Sequence, residues 1–211
     1  MDQNCSKIII TTSRNPSSTL LKFIKQIKNI FPSAIKLNRG NKCLKFLINF
    51  CLGENVTDLL LVYEHRGIPS SLIICHLPSG PTLFFKLFNV VINRFDKKEN
   101  IPRNFPILIV QNFTSPLGKR LCSVFKSLFR EPLLSTKNIV IMKAKKKLIS
   151  CNYYWFERKG NFKSDIIIHE GYPNFDLFPY KISLGSLLEK NSEVEWSNNS
   201  FINTSKKKSF F

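Results

Sequence analysis

The chain has 211 residues, with 32 Lys and Arg against 14 Asp and Glu, a formal charge of +18, and 43% apolar residues. That apolar share, with mean hydropathy near zero, excludes a disordered chain and suffices for one large domain or two small ones; no run reaches the roughly 18 apolar residues of a membrane helix, and the first run after Lys7 is too short for a signal peptide. The charge favours a polyanionic partner, nucleic acid ahead of an anionic membrane surface, since no basic amphipathic helix with exposed aromatics stands out.

Ile8-Ile9-Ile10 reads as a short buried strand, followed by the polar turn Thr11 to Ser18, in which Pro16 and the serines signal a helix start. Leu20, Ile24, Ile27 and Phe31 then recur on one helical face, with Lys22, Lys25 and Lys28 off it and Pro32 at its end. A strand is expected at Ala34–Leu37, a helix at Lys42–Leu52, and strands at Asp58–Tyr63 and Ser71–His76. The polar stretch Asp96–Asn100 marks a boundary between an N-terminal half of about 7–95 and a C-terminal half of about 104–188. Across it the opening arrangement returns. Ile107–Val110 is a strand, Gln111–Pro116 a turn, and Leu117, Leu121, Val124 and Leu128 repeat the same helical spacing, with Lys119, Arg120 and Lys126 off the face. Strands follow at Asn138–Met142, Leu148–Phe156, Asp165–His169 and Lys181–Leu184, and the polar tail from Glu189 is expected to be unordered.

Two arginine-glycine segments carry the most chemical information. Leu37-Asn38-Arg39-Gly40-Asn41 and Glu64-His65-Arg66-Gly67-Ile68-Pro69 each set a guanidinium fork beside backbone that a ligand can approach closely, which suits phosphate. The helix starts after Ser17-Ser18 and Ser115-Pro116 offer free backbone N–H groups, with Ser13 and Arg14 beside the first and Lys119 and Arg120 beside the second. The run Lys143-Ala144-Lys145-Lys146-Lys147, between two expected strands, reads as a basic hairpin tip. The candidate RNA contacts are therefore Ser13, Arg14, Ser17, Asn38, Arg39, Gly40, Arg66, Gly67, Lys119, Arg120, Lys145, Lys146 and Lys147. Tyr153, Tyr154, Trp155 and Phe156 are read as core or sheet-face packing rather than base-stacking groups.

The six cysteines form no C-x-x-C pair and the three histidines are scattered, so neither a zinc module nor another metal site is expected, and the cysteines read as free thiols. No phosphate-binding loop, nucleophile elbow or zinc-protease motif is present, and no cofactor or catalytic residue is expected.

Taken together, the segments Thr11-Thr12-Ser13-Arg14-Asn15-Pro16-Ser17, Phe31-Pro32, Leu37–Asn41, Thr57-Asp58, Glu64–Pro69 and His76–Thr82 resemble, in order and spacing, the Brix-domain family of ribosome-assembly proteins, and within it the small-subunit branch. Asn112-Phe113-Thr114, Leu117–Arg120 and Pro173-Asn174-Phe175 through Gly185 extend the resemblance over most of the chain, from Lys7 to about Leu187. It implies an α/β fold of two pseudo-symmetric halves, each like the anticodon-binding domain of class II aminoacyl-tRNA synthetases. It further implies a nucleolar, non-enzymatic RNA-binding factor whose partners are the rRNA precursor, the U3 small nucleolar RNA and processome scaffold proteins, with no membrane and no small-molecule substrate. Large-subunit assembly, or a scaffold without RNA contact, are the alternatives. Three departures stand out: the strand begins almost at Met1 where the branch carries a long basic extension, the family's Arg-His-His stretch reads Cys151-Asn152-Tyr153, and the Arg expected after Pro173 is Asn174.

Overall fold

A computed structural model describes residues 6–93, 104–158, 166–189 and 192–198. The N-terminal half contains β1 (Ile8–Thr12), α1 (Ser18–Ile30), β2 (Ile35–Lys36), α2 (Leu44–Gly53), β3 (Asp58–His65), β4 (Ile68–His76) and β5 (Thr82–Val91). The C-terminal half contains β6 (Ile107–Gln111), α3 (Pro116–Leu128), β7 (Asn138–Lys145), β8 (Leu148–Arg158), β9 (Ile166–Glu170), β10 (Asn174–Ser183) and β11 (Val194–Ser197). The boundary expected at Asp96–Asn100 lies outside the described residues.

All the described strands join one mixed sheet of order β2-β1-β3-β4-β5-β10-β8-β7-β6, with β9 paired to β8 and β11 to β10. The order has an internal symmetry. β1 runs parallel to β3, which is antiparallel to β4 and β4 to β5; β6 likewise runs parallel to β7, then antiparallel pairings lead through β8 to β10. The two sets meet where β5 pairs antiparallel with β10, Leu83 opposite Ile182 and Phe88 opposite Asp176.

Both amphipathic helices form as their spacing dictates. Ser17 caps α1, its Oγ accepting from the Leu20 N–H at 3.2 Å, and Ser115 caps α3 by accepting from the Gly118 N–H at 2.9 Å. Pro116 enters α3 where no backbone donor is needed. The apolar stripes are buried, Leu20, Ile24 and Ile27 on α1 and Leu117, Leu121, Val124 and Leu128 on α3, while Lys22, Lys25, Lys28, Lys119 and Lys126 stay in solvent.

The two helices share one core with the sheet face beneath them. The packing crosses the seam between halves: Phe23 of α1 meets Phe175 of β10 edge-on at 5.7 Å, and Phe125 of α3 stacks on Phe85 of β5 at 5.9 Å. Phe31 and Phe129, which close the two helices, meet at 5.1 Å. On the opposite sheet face a second core lies under α2, formed by Ile9, Ile48, Cys51, Val56, Leu59, Leu61, Cys75 and Leu77, with Leu187 and Leu188 packed against it from the segment after β10. Burial pushes the Cys51 thiol up to about 11 and that of Cys151, aided by the Asp176 carboxylate, to about 12, which keeps both protonated and unreactive. Cys75 shifts the same way for the same first cause, while Cys43 is exposed.

Several elements differ from expectation. β5 is absent from the sequence reading, because apolar side chains face both ways along Leu83–Phe88 and no alternation shows. The strand expected only at Lys181–Leu184 begins at Asn174, since Pro179 interrupts its pattern; the sheet accommodates Pro179 at a register shift between Pro179 and Lys181. Pro69 similarly hides the start of β4 and also sits at a shift. The strand of Ala34–Leu37 shrinks to two residues. The tail is ordered at β11, where Trp196 pairs with Ile182 and packs against the main core. Residues 199–211, with the Lys206-Lys207-Lys208 run, lie outside the described residues.

Candidate nucleic-acid interface

The sheet sorts the candidate residues into two clusters. β1 and β3 run parallel, with Thr12 beside Val62, so the start of α1 and the β3–β4 turn leave the sheet at the same end. β6 and β7 do likewise, with Gln111 beside Lys143, bringing the start of α3 near the β7–β8 turn. Because β3 and β7 lie in opposite directions across the sheet, the two clusters point opposite ways. The hairpins are four strand spacings apart, roughly 19 Å measured along the sheet.

The first cluster holds Ser13, Arg14, Ser17, Asn38, Arg39, Gly40, Arg66 and Gly67. Arg66 and Gly67 form the two-residue turn between His65 and Ile68, with φ of 50° and 75°. A turn with both central residues left-handed matches the strand twist, and the open space above Gly67 leaves its backbone approachable. Gly40, with φ of 51°, is equally open. Arg14, Asn38 and Arg66 are exposed.

Two residues of this cluster do not stand as the sequence suggests. Arg39 is 8% exposed: Nη1 donates to the Thr12 carbonyl at 3.4 Å and to Tyr63 Oη at 3.5 Å, Nε donates to the Lys42 carbonyl at 3.4 Å, and the guanidinium lies 6.0 Å from the Tyr63 ring centre. Its fork organises the Asn38–Lys42 loop instead of facing solvent, a geometry the Arg-Gly dipeptide does not reveal. Ser17 is also engaged. Its N–H donates to Glu64 Oε1 at 2.8 Å, and its hydroxyl donates to Glu64 Oε2. A carboxylate of β3 thus occupies the anion position at the start of α1, where its charge complements the helix dipole.

The Glu64 contact makes a direct prediction. Ser17→Ala removes the cap and the hydroxyl bond, and is expected to cost about 1 kcal/mol of stability in a denaturant melt while leaving RNA affinity and its salt dependence at the parent values. A parallel loss of RNA binding would return Ser17 to the set of contacts.

The second cluster is differently built. Among the described residues no carboxylate hydrogen-bonds the α3 cap. Gly118 is required by its closeness to that cap, since a Cβ there would stand 2.9 Å from Ser115 Oγ and 3.3 Å from the Phe113 backbone. Lys119 is exposed on the first turn of α3. Lys146 and Lys147 form the β7–β8 turn itself, between paired Lys145 and Leu148, with Lys146 at φ 46°. Lys143, which opens the same basic run but is not among the candidate contacts, is exposed two residues before Lys145 on β7 and joins them. Arg120 is held by the tail: its Nε and Nη2 donate to the two Glu195 carboxylate oxygens at 2.9 and 3.1 Å. Of the four aromatics of β8, Tyr153 and Trp155 pack as expected, buried in the main core with Trp155 stacked on His169 at 4.1 Å, while Tyr154 and Phe156 are half-buried on the opposite face.

Other resemblance-bearing residues serve the frame. Asp58 is buried, accepting from Thr57 Oγ1 at 2.7 Å and pairing with His76 Nδ1 at 2.8 Å, which ties the start of β3 to the end of β4. Gly80, at φ 93°, lies where a Cβ would stand 2.3 Å from the Leu184 carbonyl. A model of the Brix domain matches residues 13–181, which contain both clusters.

The chain belongs to the Brix family.

Among curated relatives, this Brix chain is 38% identical over 210 residues to the U3 small nucleolar ribonucleoprotein protein IMP4 of Saccharomyces cerevisiae, covering 97% of this chain and 70% of that one. It is likewise 38% identical over 211 residues to the protein of the same name from Bos taurus, with the same coverage. Among solved structures, the crystal structure of a probable ribosomal biogenesis protein from Aeropyrum pernix K1 aligns with a TM-score of 0.58 at 17% identity, over 82% of this chain and 96% of that one. That likeness concerns the fold, a mixed α/β architecture on one large sheet.

Proposed function

We propose that this Brix protein is a ribosome-biogenesis component of the U3 small nucleolar ribonucleoprotein that binds RNA without catalysing a reaction. In this reading it acts in the nucleolus within the small-subunit processome, in contact with the small-subunit rRNA precursor, the U3 RNA and scaffold proteins, and needs no cofactor. The assignment to the small-subunit branch rests on relatives that carry the U3 ribonucleoprotein name at 38% identity over nearly the whole chain.

The observation that carries the RNA contact is the second cluster. Lys143, Lys145, Lys146 and Lys147 are exposed on one hairpin whose turn lies near the start of α3, and Lys119 is exposed on that helix's first turn. Several ammonium groups at one end of a sheet neutralise phosphates without reading bases, so this contact fixes position more than sequence. Arg14, Arg66, Asn38 and the open backbone of Gly40 and Gly67 offer a second, smaller surface. Arg120 contributes only if Glu195 releases it.

UV cross-linking of the tagged protein in its own cells, with sequencing of the recovered RNA, tests the reading. Reads on the small-subunit precursor and the U3 RNA are expected. Reads concentrated on large-subunit precursors would overturn the branch assignment, and no enriched RNA would overturn the RNA contact itself.

A further inference from the structure

Between the two clusters lie α1 and α3, and neither helix contains an Asp or Glu. Their solvent faces carry Lys22, Lys25 and Lys28 on α1 and Lys119 and Lys126 on α3, all exposed. Among the described residues none of these lysines is in an ion pair. Helix physics accounts for two of them. Lys28 and Lys126 stand in last turns, where the dipole favours a cation. The other three are placed against it. Lys25 has a like charge three residues away on either side, and Lys119 adds positive charge near a helix start whose first turn holds no acid. A face that serves only solubility mixes both signs.

The two helices form one surface. Both rest on the same core, and their closing residues Phe31 and Phe129 meet at 5.1 Å. Their starts stand in clusters that point opposite ways, so the helices diverge from that meeting point. At 1.5 Å per residue each is roughly 20 Å long, and the lysines trace a path of roughly 40 Å over one side of the molecule. Arg14 and Arg66 stand at one end of the path, and the β7–β8 hairpin at the other.

We infer that the solvent faces of α1 and α3 form a third RNA contact, which holds the phosphate backbone of one RNA segment running from the first cluster to the second. This rests on the RNA-binding reading proposed above and adds to it the surface between the two turns. The make-up of that surface selects its occupant. No large apolar side chain is exposed on either helix, so a partner protein finds no anchor and a membrane receives nothing. No aromatic is exposed there either, so bases gain no stacking partner. Ammonium groups spaced along a helix meet phosphates spaced along a strand, a contact that positions RNA without reading its sequence. A bound backbone also relieves the repulsion among Lys22, Lys25 and Lys28, which the free protein bears without a counter-charge.

The test is acetylation of lysine amines by an activated ester, read by mass spectrometry on the full chain with and without single-stranded precursor RNA. Lys22, Lys25 and Lys126 are expected to lose at least half of their labelling when RNA is bound. Lys45 of α2 and Lys86 of β5, exposed on the opposite sheet face, are expected to keep theirs. Lys22→Gln with Lys25→Gln keeps good helix formers and removes two charges. It is expected to weaken binding about tenfold at moderate salt and to lower the slope of log affinity against log salt by about 1.5, with the melting temperature unchanged. Lys45→Gln with Lys86→Gln removes the same charge and is expected to keep the parent slope. Equal losses in the two variants would reveal a net-charge effect and overturn the inference, as would labelling of Lys22 and Lys25 that RNA leaves unchanged. If reversal of Lys145, Lys146 and Lys147 weakens binding while the α1 variant does not, the RNA reading stands and this surface is excluded. A full chain that binds no RNA overturns both.

Discussion

Phe125→Ala is expected to lower the unfolding free energy by about 3–5 kcal/mol and to do so in both halves at once. Phe125 is 1% exposed, stacks on Phe85 of β5 at 5.9 Å and takes Phe113 edge-on at 6.3 Å. Truncation removes the transfer free energy of a buried ring and leaves a void beneath a helix that belongs to one half and rests on a strand of the other. Hydrogen exchange reads the outcome. Amides of β3 and β7, on opposite sides of the β5–β10 seam, are expected to lose protection by equal amounts, because the core they share opens as a unit. If β3 keeps its protection while β7 loses it, the halves fold independently and the common core contributes little to their union.

That shared core shows which parts of the molecule the sequence can announce. A helix that lays one stripe on a sheet must space its apolar residues by three and four, so α1 and α3 are legible from Leu20 to Phe31 and from Leu117 to Leu128. Which strand each stripe rests on is a long-range matter, and nothing local in Phe23 or Phe125 names Phe175 or Phe85 as its partner. β5 and most of β10, the two strands that join the halves, are the ones the sequence conceals. One is apolar on both faces and the other carries Pro179 at a bulge. The candidate site divides the same way. Exposed lysines at a hairpin tip need no partner, and Lys145–Lys147 lie where their charge run suggests. Arg39 and Ser17 are decided by groups distant in sequence, Thr12, Tyr63 and Glu64, and so turn inward. Glu195 could not be anticipated on Arg120, since it arrives on a strand whose pairing with β10 and whose Trp196 contact with the core are both long-range.

Reversing Lys145, Lys146 and Lys147 to glutamate is expected to weaken binding to single-stranded precursor RNA by roughly a hundredfold or more at moderate salt. It should also reduce the slope of log affinity against log salt by about 2, since each lysine lost removes one phosphate contact and the counterion released with it. The fold should be untouched, because the three side chains are exposed at the tip of a hairpin whose pairing continues through Ala144–Ile149. Reversal of Arg14 and Arg66, in the oppositely directed cluster, provides the comparison. If one RNA segment spans the sheet, the two sets of substitutions should lower the slope additively. If only the C-terminal cluster holds RNA, the Arg14 and Arg66 variant should keep the parent slope. The Arg39→Ala variant separates charge from structure, because its buried fork should cost stability and leave the slope unchanged. A hairpin variant that retained the full salt slope would place the phosphate contacts elsewhere on the molecule, and the +18 charge would then have to act through a surface other than these two turns.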